Sequence, residues 1–141
     1  MRIIRGLFFF AVLLLLASCA TLRPVVVPEP VLSSRNEAIV ALLDTAHSQS
    51  SSGELEAAGA SLERALRIEP RNPHLWQELA RVRLSQGQYR EAENMAAKSS
   101  TLAAGDRYLR TENWRIIGQA RTRLGDYQGA QAAFDKAEKE N

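Results

Sequence analysis

The chain has 141 residues, of which 18 are Arg or Lys, 16 are Asp or Glu and one is Cys. That length fits a single domain, and one thiol excludes an internal disulfide. Near-balanced charge excludes the basic surplus of a nucleic-acid-binding domain.

The first element is the apolar run Leu7–Ala17, "LFFFAVLLLLA". A helix crossing a bilayer needs about 20 apolar residues, whereas the core of a secretory signal takes roughly 7–15. Arg2 and Arg5 supply a cationic start, and Ala17 and Ser18 supply a small-residue end. A buried helix or an uncut anchor is the competing reading. The flanking residues favour a signal peptide over residues 1–18, removed on export.

The sequence "Leu16-Ala17-Ser18-Cys19" resembles the lipobox of bacterial lipoproteins. The resemblance implies cleavage before Cys19 and a thioether-linked diacylglycerol on its sulfur. A further acyl chain, commonly palmitate, is implied on the new amine. One acyl chain binds a membrane marginally and two or more hold it stably. Ala20 stands where an Asp tends to retain such proteins in the inner membrane, so the resemblance implies the outer membrane, periplasmic face, of a gram-negative bacterium. Loss of residues 1–18 removes two cations and leaves 16 basic residues against 16 acidic.

Next comes "ATLRPVVVPEPVLSSRN". Pro24, Pro28 and Pro30 fix φ and remove backbone donors, which disfavours helix. The expectation is a semi-extended tether over Ala20–Ser34, within an anchor-and-tether segment 19–35. Fifteen residues reach at most about 50 Å at ~3.3 Å each.

From residue 36 to 141 the pattern is helical, with breaks at "SQSSSGE", "EPRNPH", "SQGQY", "AAGDR" and "LGDYQ". Gly53, Gly87 and Gly125 punctuate it at intervals of 34 and 38 residues. A period near 34 with paired helices is the mark of a tetratricopeptide repeat. The last repeat carries Trp114, Ile117, Gly118, Tyr127, Ala130, Phe134 and Ala137 at the motif spacing. The middle one carries Trp76, Leu79, Ala80, Tyr89 and Ala92. The first has Leu42 for the Trp and Leu62 for the Phe, with Ala58 and Ala65 at their places. The usual Tyr of each first helix is replaced by Gln49, Arg83 and Arg121. The chain thus resembles the tetratricopeptide-repeat family over residues 39–140. The resemblance implies an all-α fold, a short α-solenoid of three helix pairs or six antiparallel helices, with repeats near 39–72, 73–106 and 111–141.

Turn chemistry supports the boundaries. "Ser51-x-x-Glu54" reads as a capping box. Asn72 caps a helix with Pro73 at its first position, where a missing N–H costs nothing. Asp106 and Asp126 are further caps. The four extra residues between Gly87 and Gly125 lengthen the fifth helix by one turn, over Asp106–Arg110. Tyr89 and Tyr127 begin second helices and are expected to pack back across the turn. On the last helix Tyr127, Ala130, Ala133, Phe134 and Ala137 form one stripe and the polar residues lie elsewhere.

Chemistry for catalysis is missing. An enzyme needs a nucleophile, acid–base groups or a metal in a cleft. The one Cys lies in the leader junction, and His47 and His74 lie on different repeats without partners at ligand spacing. No metal site and no cofactor beyond the lipid on Cys19 is expected.

In the repeats this chain resembles, the first helices line a concave groove. Counted from Ile39, Pro73 and Thr111, the groove positions include His47, His74, Gln77, Arg81, Arg115, Gln119 and Arg123. Val40 and Leu43 make the first repeat's part apolar. Of the 18 basic residues 15 are Arg, whose forked donors suit carboxylates. A cationic groove would suit an extended acidic peptide or a C-terminal carboxylate. The alternative is solvated arginines paired along their own helix, such as Arg81 with Glu78.

The expected function is that of a lipid-anchored periplasmic lipoprotein whose repeats recruit or activate an envelope protein. The lipobox, tether and compact repeat domain with "RNPHLWQELARVRLSQGQY" resemble the small lipoproteins that activate class A penicillin-binding proteins, the bifunctional peptidoglycan synthases. Two alternatives stay open: a pilotin-like assembly factor for a secretin or pilus system, and a structural lipoprotein that self-associates. The membrane is reached through the lipid, no nucleic acid is bound, and the chain is a monomer or weak dimer.

Overall fold

The computed structural model describes residues 30–140. Six helices follow in order: α1 Pro30–Ser51, α2 Leu55–Ile68, α3 Pro73–Ser85, α4 Tyr89–Leu102, α5 Arg107–Arg123 and α6 Tyr127–Glu140. Each packs on the next, and α3 also reaches α5. This is the expected all-α stack of three antiparallel pairs. Cys19 and the apolar leader lie outside the described residues.

The three glycines do one job three times. Gly53, Gly87 and Gly125 have φ of 79, 77 and 81°, the left-handed region that L side chains rarely enter. The amide after each reaches back to close the helix: Glu54 to the Gln49 carbonyl (2.8 Å), Gln88 to Arg83 (2.9 Å) and Asp126 to Arg121 (3.0 Å). These are Schellman closures, which satisfy carbonyls that the helix end would orphan.

The same geometry overturns one expected cap. Ser51 is not the start of a capping box but the last residue of α1, and its hydroxyl donates to the His47 carbonyl at 2.8 Å. Because Gly53 makes the turn, α2 begins two residues later, and its N-cap Glu54 makes no side-chain capping bond. The other caps stand. Asn72 Oδ1 accepts from the amides of His74 (3.0 Å) and Leu75 (3.4 Å) with Pro73 at N1. Asp106 accepts from Leu109 at 2.9 Å, and Asp126 from Gly129 at 2.9 Å.

A second correction concerns the tether. Helix α1 starts at Pro30, inside the stretch expected to stay non-helical through Ser34. Proline is tolerated in a first turn, where its absent N–H has no intrahelical partner to lose. No proline follows Pro30 within α1, so nothing in the sequence stops the helix. As expected, α5 runs to 17 residues where α3 has 13.

Two apolar clusters fill the stack. One joins α1, α2 and α3 through Ile39, Ala46, Leu62, Leu66, Leu75 and Leu79, with Leu42 and Trp76 packed on its edge. The other joins α3 to α6 through Ala80, Ala96, Ile116, Ile117 and Ala133, with Trp114 beside it. Ala92 and Ala130 are buried, which lets second helices approach closely. Lys136 Nζ sits 4.3 Å above the Trp114 ring, a cation–π contact that ties α6 to α5.

The residues replacing the motif Tyr act as polar ties. Gln49 Oε1 accepts from the Ser61 hydroxyl at 2.9 Å. Arg83 pairs with Glu63 on α2, and its Nε lies 3.4 Å from Glu91 on α4. Arg121 donates to Glu93 on α4 (2.8 Å from Nε) and to the Gly129 carbonyl on α6 (3.3 Å). Arg83 and Arg121 thus each link a repeat to the one before it.

Tyr127 does not pack back: it is 72% exposed. Tyr89 meets the next repeat, sharing a cleft with Gln119 and Phe134. Tyr127 has no such repeat after it among the described residues. Ala130, Ala133 and Ala137 bury the inner stripe of α6 as expected, while Gln128, Gln131, Asp135, Glu138 and Lys139 face outward.

Candidate functional site

The first helices of the three repeats carry one charged motif, an acid followed three residues later by a base: Asp44–His47, Glu78–Arg81 and Glu112–Arg115. Successive pairs are 34 residues apart. A step of three places acid and base on one helix face. Measured from the caps Asn72 and Asp106, the second and third pairs occupy matching positions on α3 and α5.

The fold joins these pairs into a row. His47 Nε2 on α1 lies 3.2 Å from Glu78 Oε2 on α3. Arg81 Nε is 4.0 Å from the other oxygen of Glu78. Arg81 Nη2 then reaches across to Glu112 Oε2 on α5 at 3.2 Å, and Arg115 Nη1 donates to Glu112 Oε1. The bases stand outward, with Arg81 47% and Arg115 46% exposed. Glu112 sits lower, at 17%, and holds one arginine on each oxygen. Asp44 is exposed one turn before His47 on α1.

The expected groove residues therefore separate into four places. His47, Arg81 and Arg115 share the row. Gln119 and Arg123 lie further along α5 and line an open cleft of about 720 Å³ with Leu84, Ser85, Tyr89 and Phe134. His74 lies beside the α2–α3 turn with Pro70 and Arg71.

Gln77 is the correction: it is 7% exposed and its amide donates to Asn113 Oδ1 (3.0 Å) and the Leu109 carbonyl (3.3 Å). Asn113, fully buried, donates to the Ser99 hydroxyl at 2.8 Å, which in turn donates to the Pro73 carbonyl at 2.7 Å. Gln77 thus belongs to a buried polar chain between α3, α4 and α5, where each buried group needs a partner. It faces the repeat junction, not the open groove.

Glu78 is the member outside the groove positions; Glu112 occupies one, counted from Thr111, without being one of the expected binding residues. In the repeat register set by Trp76 and Trp114, Glu112 lies one turn ahead of the Glu78 position on the same helix face, so that register hides their common place in the row. The acid–x–x–base step recurring at 34 residues is the signal that reveals it.

Two comparisons fix the family. A family model for the tetratricopeptide repeat matches residues 49–111. The chain is also similar to the globular C-terminal domain of P. aeruginosa LpoP, with 44% identity and a TM-score of 0.70. That match covers 72% of this chain and 95% of the LpoP domain. The chain belongs to the tetratricopeptide-repeat family of the LpoP domain.

Two further repeat structures share the fold alone. The N-terminal domain of stress-induced protein-1 from C. elegans is 18% identical, with a TM-score of 0.69 over 75% of this chain and 86% of that one. The second tetratricopeptide-repeat domain of Spaghetti (RPAP3), bound to the HSP90 peptide SRMEEVD, is 21% identical, with a TM-score of 0.66 over 77% and 99%. No curated protein sequence matches the chain.

As a tetratricopeptide-repeat protein the chain is a non-enzymatic interaction scaffold. Among the described residues no three His, Cys, Asp or Glu side chains gather as a metal site. No helix among them is long and apolar enough to cross a membrane.

Proposed function

We propose that the chain is a lipid-anchored, periplasm-facing lipoprotein whose repeat domain recruits and activates a class A penicillin-binding protein. The observation carrying this reading is the 44% identity to the LpoP domain over 95% of that domain. It joins the resemblance of leader, lipobox and tether to the synthase-activating lipoproteins. In this reading residues 1–18 are removed and Cys19 carries the lipid in the outer membrane. Arg81 and Arg115, with His47, Gln119 and Arg123 around them, form the partner face on α1, α3 and α5. From Cys19 to the start of α1 at Pro30 the chain reaches at most about 36 Å, so the domain works near its membrane.

The test uses the mature chain with Cys19→Ser and a purified class A synthase from the same organism. Binding, and a rise in the rate of glycan polymerisation or cross-linking, are expected. No binding and an unchanged rate would reject the synthase as partner. Mass spectrometry of the native protein should find the processed N-terminus at Cys19 with its acyl chains.

A further inference from the structure

A cationic groove would attract any acidic segment. The row on α1, α3 and α5 is built otherwise. Arg81 and Arg115 are matched by Glu78 and Glu112, and Asp44 adds a third carboxylate next to His47. Counting Arg123 on the same face, three arginines stand against the three carboxylates of Asp44, Glu78 and Glu112. Long-range attraction for an acidic peptide is therefore absent, and what the row can recognise is decided at contact.

Contact is decided by Glu112. A ligand carboxylate that takes the Arg81 or Arg115 guanidinium pulls it from an oxygen of Glu112. Glu112 is mostly covered, and a covered carboxylate that loses its donor is costly unless another cation replaces it. An all-acidic segment brings none. A segment with a basic side chain beside its acidic one brings the replacement, so arginine and glutamate are both satisfied after exchange. In an extended strand, side chains two residues apart lie on one side, about 6.6 Å from each other. Arg81 and Glu112 meet across α3 and α5 at 3.2 Å, so an acid and a base on one side of such a strand can engage the two together.

We infer that the face formed by α1, α3 and α5 recognises an extended segment of mixed charge, acidic and basic residues alternating on one side, with Glu112 as the residue that selects for the base. This rests on the reading of α1, α3 and α5 as the partner face but does not need the partner to be a synthase.

The test is selection of random peptides displayed on phage against the mature chain with Cys19→Ser. Peptides with an acid and a base two residues apart are expected to dominate. Their affinity should fall at least about fivefold on Glu112→Gln, and a Glu-only version of the same peptide should bind Glu112→Gln more tightly than the parent. Circular dichroism should be unchanged, and Glu78→Gln should act in the same direction. All-acidic or terminal-carboxylate peptides dominating, indifference to Glu112→Gln, or no enriched peptide at all would overturn the inference. A mixed-charge selection together with no synthase binding would keep this inference and remove the synthase.

Discussion

A methyl group added to Gly118 would lie 2.4 Å from Cε1 of Phe134. The α5–α6 contact of the last repeat therefore depends on a residue without a side chain. Ala in place of Gly gains about 1 kcal/mol of helix propensity, whereas overpacking a close contact costs about 1–3 kcal/mol. Gly118→Ala should lower stability by up to about 2 kcal/mol in urea denaturation. Phe134→Leu in the same chain should recover part of the loss, because the smaller side chain makes room. Equal losses with and without Phe134→Leu would show that the ring is not the obstacle.

The buried chain Gln77–Asn113–Ser99 predicts a larger effect. Asn113→Ala removes two hydrogen bonds and leaves the buried Gln77 amide and Ser99 hydroxyl facing a void. The cost should be about 2–3 kcal/mol. The denaturation midpoint should fall with an unchanged slope. A loss under about 0.5 kcal/mol would mean the network does not hold the repeats together.

Charge reversal tests the partner face. Arg81→Glu with Arg115→Glu sets four carboxylates side by side on α3 and α5. Arg81 and Arg115 are half exposed, but the mostly covered Glu112 loses both donors, so the unfolding midpoint should fall while the apolar core keeps the helices folded. Helical content should therefore stay constant while affinity for the envelope partner drops at least about tenfold. A partner that binds the double variant as tightly as the parent uses another face.

The end of α6 should respond to acid. Arg110 donates to Glu140 Oε2 from Nη2 (2.8 Å) and Nε (3.2 Å). That hydrogen bond holds the Glu140 carboxyl below its ordinary value of 4.5 and raises Arg110 in return. A carboxyl lowered on folding contributes stability that is present above pH 4.5 and lost as pH falls through the folded value. Amide protection in the last turn of α6 should drop over that acid range. In Glu140→Gln this acid-side step should vanish. A step that persists would belong to another group.

Most of the fold was legible because its signals are local. A glycine at φ near 80° ends a helix through its own backbone, and Asn72, Asp106 and Asp126 cap the next through amides two or three residues away. The 34-residue period and the motif residues Trp76, Leu79, Trp114 and Gly118 follow from the need of each pair to bury one face against the next. Ser51 was misleading for an equally local reason: Gly53 claimed the turn first.

The sequence by itself determined the six helices among the described residues, with their bounds except at the start of α1, and the repeat architecture, since periodicity and turn chemistry act over a handful of residues. Only the tertiary structure decided which polar groups are free. His47 meets Glu78, and Arg81 meets Glu112, each across 31 residues of chain. Gln77 turns inward because Asn113 waits for it on α5, and Tyr127 stays in solvent because no described helix follows to cover it. A charge reads the same in any sequence. Whether it is available to a partner depends on the neighbour that packing brings to it.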